Sequence, residues 1–237
     1  VAEGGVRAKQ TIRANPIAEH DANRAVAVLI HGDAAFPGQG VVAETLNLQG
    51  LEGYSTGGTI HVIVNNQVGF TTDPEDSRST RYASDMAKGF DMPIVHVNAD
   101  DVDACIAAVG LATQFRARFG HDVLIDLIGY RRLGHNELDE PAYTQPVMAL
   151  TIKEHPTVAH IFADRLIADR VITEDDYAAM VAAAEDRMGS AHKRVQSGLE
   201  QGSDAESPRD KRRRAKTNVV KTRVSASTLR SLNEQLH

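Results

Sequence analysis

At 237 residues the chain is long enough for one sizeable core, or one domain with an appendage, and its 42% hydrophobic share fits a core that carries a polar tail. A net charge of −6 argues against a nucleic-acid binder, no apolar run approaches the roughly 18 residues of a membrane span, and no signal peptide is visible. The single cysteine, Cys105, excludes an internal disulfide and agrees with a reducing compartment.

The first β-branched apolar run, Ala25–His31, predicts a buried strand that ends at Gly32-Asp33. Gly38 and Gly40 loosen the following loop before a helix over Val41–Leu48. The run Thr59–Asn65 predicts a second strand, ending at Asn65-Asn66, and Ser77, Ser79 and Thr80 fall in the polar loop beyond it. A third strand, Pro93–Asn98, leads to Asp100-Asp101, an N-cap for the helix Val102–Phe119. That helix has Val102, Ile106, Val109, Ala112 and Phe115 on or near one face, Arg116 and Arg118 late enough to favour its C-terminal dipole, and Gly120 as its stop. Cys105 sits in its apolar part and reads as a packed thiol rather than a nucleophile.

The fourth strand, Asp122–Tyr130, is followed by a basic loop, Arg131–Pro146. Helices are then predicted over Thr157–Asp169 and Thr173–Leu199, the second opened by a capping-box-like Thr173 and Asp176. From Gly202 to about Lys221, including the basic run Lys211–Arg214, the composition is that of a linker, and Val219–Leu236 regains helical spacing. Alternating strands and helices predict an α/β fold with a doubly wound, mostly parallel sheet, followed by a C-terminal helical extension and linker.

In such sheets ligands sit beyond the carboxyl ends of the strands, where Gly32-Asp33 and Asn65-Asn66 both fall. Either pair alone is ordinary turn chemistry, but two at consecutive strand ends point to a site. Magnesium takes oxygen ligands near-octahedrally at about 2.1 Å through one or two carboxylates plus substrate phosphates. If Asp33 gives a carboxylate, Asn66 a side-chain carbonyl and Val68 a backbone carbonyl, about three positions remain for two diphosphate oxygens and a water. Gly32 permits a sharp turn and lets backbone amides approach the anion. The loop after the fourth strand would hang over the same edge, bringing Arg131, Arg132 and His135 toward it. His31 either lines the pocket or bonds to backbone, and His96 and Asn98 end the third strand in the same layer.

The words HGDAAFPGQGVVAETLNL, NNQVGFTTDPEDSRSTRYASDMAK, HVNADD and YRRLGHNELDEPAYTQP, in this order from Val1 to about Pro156, resemble the 2-oxoglutarate dehydrogenase E1 family of thiamine diphosphate enzymes. The resemblance implies a thiamine diphosphate-binding fold. It places Mg2+ on Asp33, Asn66 and Val68, with Gly32, Ala34 and Arg131 also holding the cofactor and His135 as catalytic. It further implies decarboxylation of 2-oxoglutarate, transfer of the succinyl group to a lipoyl-bearing E2 partner, a homodimer in the full-length enzyme, and a cytoplasmic location in a bacterium or the mitochondrial matrix in a eukaryote. Pyruvate and branched-chain E1 enzymes and transketolase share the Gly-Asp and Asn elements, but GHNELDEPAYTQP and NNQVGFTT match the 2-oxoglutarate branch. Pro37 and Leu133 depart from the family pattern without touching the metal ligands, and the pyrimidine-binding half with its activating glutamate is absent from this sequence. The expected organisation is a diphosphate-binding domain over 1–156, a helical extension over 157–201, and a linker over 202–237 leading toward the missing half; an internal or cut N-terminus is expected from Val1. Three rival readings stay open: a truncated, non-catalytic module that binds a partner chain, another thiamine diphosphate-dependent 2-oxo acid dehydrogenase E1, and a generic magnesium-dependent phosphate-handling enzyme.

Overall fold

The computed structural model describes residues 1–14, 17–200 and 223–236. Helix α1 (Ala2–Gln10) leads into a small antiparallel pair, β1 (Thr11–Ile12) and β2 (Glu19–His20). The predicted strands follow as β3 (Ala27–Gly32), β4 (Thr59–Asn65), β5 (Ile94–Asn98) and β6 (Val123–Ile128), joined as a parallel four-stranded sheet in the order β3-β4-β6-β5. The chain therefore passes from β4 through the short helix α4 (Pro74–Ser77) to the far edge and returns through α5 (Val102–Phe119) to lay β6 between its neighbours.

Helices pack on both faces of the sheet, as expected for near-continuous apolar strands, although Val28 and Ile30 of the edge strand β3 stay exposed. On one face Ile63 and Leu124 pack with Phe36 of α2 (Ala35–Gly38), Val42 and Leu46 of α3 (Gly40–Leu46), and Ala83 and Ala87 of the 3-10 stretch Ala83–Phe90. On the other, Ile60, Val97, Val123 and Ile125 pack against Ala108 and Ala112 of α5. The helix expected over Val41–Leu48 instead begins at Gly40 and stops at Leu46, and the loop before it winds into the extra turn α2. Proline at the third position of α2 is tolerated because first-turn amides have no intrahelical acceptor.

Helix α5 has the predicted bounds, with the Asp101 carboxylate accepting from the Ala104 amide at 3.0 Å and Gly120 at φ 66° closing it. Asp100 does not share the cap; its carboxylate meets the His155 ring at 2.7 Å. Cys105 is half-buried against the α5 face of the sheet, as a packed thiol should be, and burial raises its pKa. Arg116 and Arg118 lie in the last turn, as expected, and the buried guanidinium of Arg116 has a further role, donating to the carbonyls of Gly58 (3.1 Å), Ala22 (2.7 Å) and Thr56 (3.2 Å). The buried Gln10 amide serves the same segment through Ala22, Ala25 and Thr56. These donors satisfy backbone carbonyls at the amino-terminal end of the sheet, where turns leave no ladder partners.

Beside them, the Asp122 carboxylate accepts from the Thr59 amide at 2.7 Å and lies 3.3 Å from the His61 ring, while Thr59 Oγ1 donates to Glu3 at 3.2 Å. Burial, then the neighbouring Asp122, raises the Glu3 pKa.

After β6, α6 (Pro146–Glu154), a helix that the sequence pattern does not predict, and α7 (Val158–Ala168), capped by Thr157, complete a unit spanning Val1–Ile172. The second unit, from Thr173 on, contains α8 (Glu174–Glu200) and α9 (Ala226–Leu236). The capping box of α8 is formed: the Thr173 amide donates to Asp176 at 3.0 Å and the Asp176 amide donates to Thr173 Oγ1 at 3.1 Å. The expected linker, the basic run Lys211–Arg214 within it and the start of the Val219–Leu236 helix lie outside the described residues. Among the described residues no helix is long and apolar enough to cross a membrane.

Candidate functional site

The carboxyl ends of β3, β4 and β6 open onto one cleft of about 600 Å³, and its lining brings together Gly32, Asp33, Ala34, Asn66, Val68, Arg131 and His135. The seven residues that the resemblance assigns to the site thus meet, although they come from three separate strand-to-loop junctions.

Asp33 follows β3 directly and is only 3% exposed. Burial raises its pKa above the ordinary 3.8, while backbone amides of Asp33, Asn66 and Ala34 and the Arg78 guanidinium pull the other way. Among the described residues it has no ion-pair partner within 4.0 Å. A buried carboxylate without an ion pair is costly, and a bound cation would offset that cost.

The loop after β4 is built from its own side chains. Asn65 Oδ1 accepts from the Gln67 amide at 3.0 Å, Asn66 Oδ1 from the Val68 amide at 3.2 Å, and the Asn65 carbonyl from the Gly129 amide at 2.7 Å. Gln67 and Phe70 sit at φ 61° and 56°, left-handed conformations that non-glycine residues adopt at some expense. Gly69 lets this loop close on the Asp33-Ala34 turn, because a Cβ there would lie 2.9 Å from that of Ala34.

The third junction supplies cationic donors. Arg131 Nη2 donates to the Phe70 carbonyl at 3.1 Å and lies 3.8 Å from Asp139, while its buried Nε has no hydrogen-bond partner. Arg78 likewise buries Nε and Nη1 without partners. The His135 amide donates to Asp139 at 2.8 Å, and its ring meets the edge of Phe70 with centroids 5.0 Å apart. Arg132 turns away, donating to the carbonyls of Ile152 and His155.

Other expectations are redirected. His31 neither lines this cleft nor bonds to backbone: its Nε2 lies 3.1 Å from His61 Nδ1, and burial with the neighbouring His61 lowers its pKa to about 4. Ser77 reaches the cleft, but Ser79 does not, and Thr80 donates to the Tyr82 carbonyl. His96 bonds to Asp126, a buried carboxylate that no sequence signal marks inside its apolar strand, just as none marks Arg78 in its polar loop. A carboxylate without a cation, carbonyl-bearing turns beside it and guanidinium nitrogens without acceptors together suit a hard cation carrying an anion.

Comparison with known proteins gives a match of residues 1–203 to the family described as dehydrogenase E1 component. The chain is 50% identical over 238 residues to the 2-oxoglutarate dehydrogenase E1 component of Bacillus pumilus (strain SAFR-032), covering 100% of this chain and 25% of that protein. It is 51% identical over 237 residues to that of Geobacillus sp. (strain WCH70), covering 98% and 24%, and 56% identical over 196 residues to that of Bacillus cereus (strain AH187), covering 82% and 20%. The chain spans about a quarter of the length of the relatives it matches.

Proposed function

The chain belongs to the dehydrogenase E1 component family, and on that premise we propose that its cleft anchors the magnesium-bound diphosphate of thiamine diphosphate in a 2-oxoglutarate dehydrogenase E1 component. The observation that carries this reading is Asp33, buried without an ion-pair partner among the described residues, between the Asn66–Val68 loop and two guanidinium groups with unused donors.

The residues fit the group. Asp33, Asn66 and Val68 offer a single carboxylate and neutral oxygens, so the ion keeps net positive charge for the diphosphate, and a second carboxylate would repel it. Arg131 and Arg78 supply donors for phosphate oxygens. When bound, the cofactor supplies the electron sink for loss of carbon dioxide from a 2-oxo acid. The chain's share is to hold it: Gly32 and Ala34 shape the turn beneath the anion, and Phe70 supports His135 at the cleft mouth, where that side chain serves the reacting end.

Residues 1–156 are assigned this anchoring role, 157–201 a helical extension, and 202–237 the connection toward a pyrimidine-binding half. The substrate is 2-oxoglutarate, the acyl acceptor a lipoyl-bearing E2, and the working form a homodimer. The chain alone is expected to bind the cofactor without turning substrate over, since the activating glutamate lies outside it.

Titration of the chain with thiamine diphosphate, followed by calorimetry with and without Mg2+, is expected to give binding only when the metal is present. Asn66→Ala should weaken that binding at least roughly tenfold, because a lost metal ligand is not replaced at comparable geometry. Binding indifferent to Mg2+ would overturn the reading.

A further inference from the structure

Asp126 lies in β6, opposite Ile63 of β4 and His96 of β5, and is 0% exposed. Burying a carboxylate is expensive unless its oxygens are filled by donors. Here three side chains fill them. Oδ2 accepts from Ser84 at 2.9 Å and lies 3.1 Å from His96 Nδ1, while Oδ1 accepts from Asn65 Nδ2 at 3.2 Å.

The Asn65 contact is directional. An amide has a donor end and an acceptor end, and an acceptor-only carboxylate at 126 draws the donor end inward. Asn65 Oδ1 is thereby turned toward the loop, where it accepts from the Gln67 amide at 3.0 Å. Gln67, at φ 61°, lies between Asn66 and Val68. We propose that Asp126 is a positioning residue for the metal-binding loop: by fixing which end of the Asn65 amide faces outward, it holds Gln67 in its left-handed turn and so sets Asn66 and Val68. This rests on the magnesium diphosphate reading of the cleft for its functional meaning, and on hydrogen bonds alone for its structural one.

The polarity of the chain can be reversed. In Asp126→Asn the new amide keeps its oxygen toward Ser84 and His96 and presents its NH2 to position 65, where it meets another donor. Asn65 must then flip, and its own NH2 opposes the Gln67 amide. In Asn65→Asp two carboxylates face each other. In the double variant the carboxylate introduced at position 65 accepts from both the side-chain amide introduced at position 126 and the Gln67 backbone amide, so every bond is restored and only the one between positions 65 and 126 changes its sense.

Two measurements on the chain test this. Amide exchange by NMR reads Gln67 directly: it should speed up about tenfold in each single variant and return to the wild-type rate in the double. Affinity for Mg2+ and thiamine diphosphate should fall roughly 10- to 100-fold in each single variant and recover to within about threefold in the double. A structural role alone would lower the melting temperature and leave both readouts unmoved. Ser84→Ala, which removes a donor from the other oxygen, should behave in that way. Unchanged Gln67 exchange in both single variants overturns the proposal whether or not the wild type binds. Loosened Gln67 with undiminished affinity overturns it as well. Loosened Gln67 in a chain whose wild type ignores Mg2+ would leave the positioning intact and discard the cofactor reading.

Discussion

Asp33→Asn is expected to abolish Mg2+-dependent binding of thiamine diphosphate and, in the same chain without ligand, to raise the melting temperature. The two effects have one cause. Asp33 is buried, lacks an ion-pair partner among the described residues, and has its pKa raised by burial. A carboxyl whose folded-state pKa lies above its unfolded value favours folding while protonated; that contribution is complete below the unfolded value, near 3.8, and is lost as pH rises through the folded value. At neutral pH the ionised group therefore weighs against the fold, and a neutral isostere of the same shape does not. The gain is expected as a higher melting temperature of the variant, measured by calorimetry at pH 7 and vanishing toward pH 3. Only a bound cation reverses the sign, so ligand with Mg2+ should stabilise the wild type and not the variant. A variant that melts lower than wild type at pH 7 would mean that Asp33 is a structural carboxylate.

Gly58→Ala should act at the other end of the sheet and on folding alone. Gly58 has φ +94°, and a Cβ there would lie 2.4 Å from the His121 carbonyl oxygen and 2.9 Å from Arg116 Cγ. The strained backbone and the clash with main chain, which cannot rotate aside, together cost about 2–3 kcal/mol. The melting temperature should fall by roughly 5–10 °C. Arg116 would also be pushed from the carbonyls it serves. Cofactor affinity of the folded fraction should be unaffected, since the cleft lies beyond the opposite strand ends. An unchanged melting temperature would show that the His121 segment can step aside.

The parts of this arrangement that depend on one stretch of chain were legible in the sequence. Each strand announces itself as an apolar run, α5 by its cap, spacing and glycine, and the Asp33 and Asn66 junctions by falling at strand ends. Asp126 was not legible, because its meaning comes from Asn65 and Ser84, 61 and 42 positions away. Inside the run Asp122–Tyr130 it looks like an interruption, and only strand order, with the 3-10 stretch packed on that face, brings Asn65 and Ser84 to it. The bonds that Arg116 makes were hidden for a related reason: helical spacing places it in the last turn of α5 but does not say that the segment around Gly58 lies within its reach. Helix α6 was missed because Pro146 and a short apolar run follow a loop rich in turn residues, and its start needs no side-chain cap. The orphaned nitrogens of Arg78 and Arg131 are properties of burial, which no motif encodes.

The two walls of the cleft are not alike. One issues straight from β4, which is hydrogen-bonded on both sides, and is tied again through Gly129. The other is carried by the long connection between β6 and α6, much of it exposed. The side that carries Asn66 is thus bound into the sheet, and the side that carries Arg131 and His135 lies outside its strands. Of the connection's residues, Arg131 would share in the proposed diphosphate site, so substitutions beyond it are the ones with room to change what the cleft accepts while the Asp33 and Asn66 junctions stay as they are.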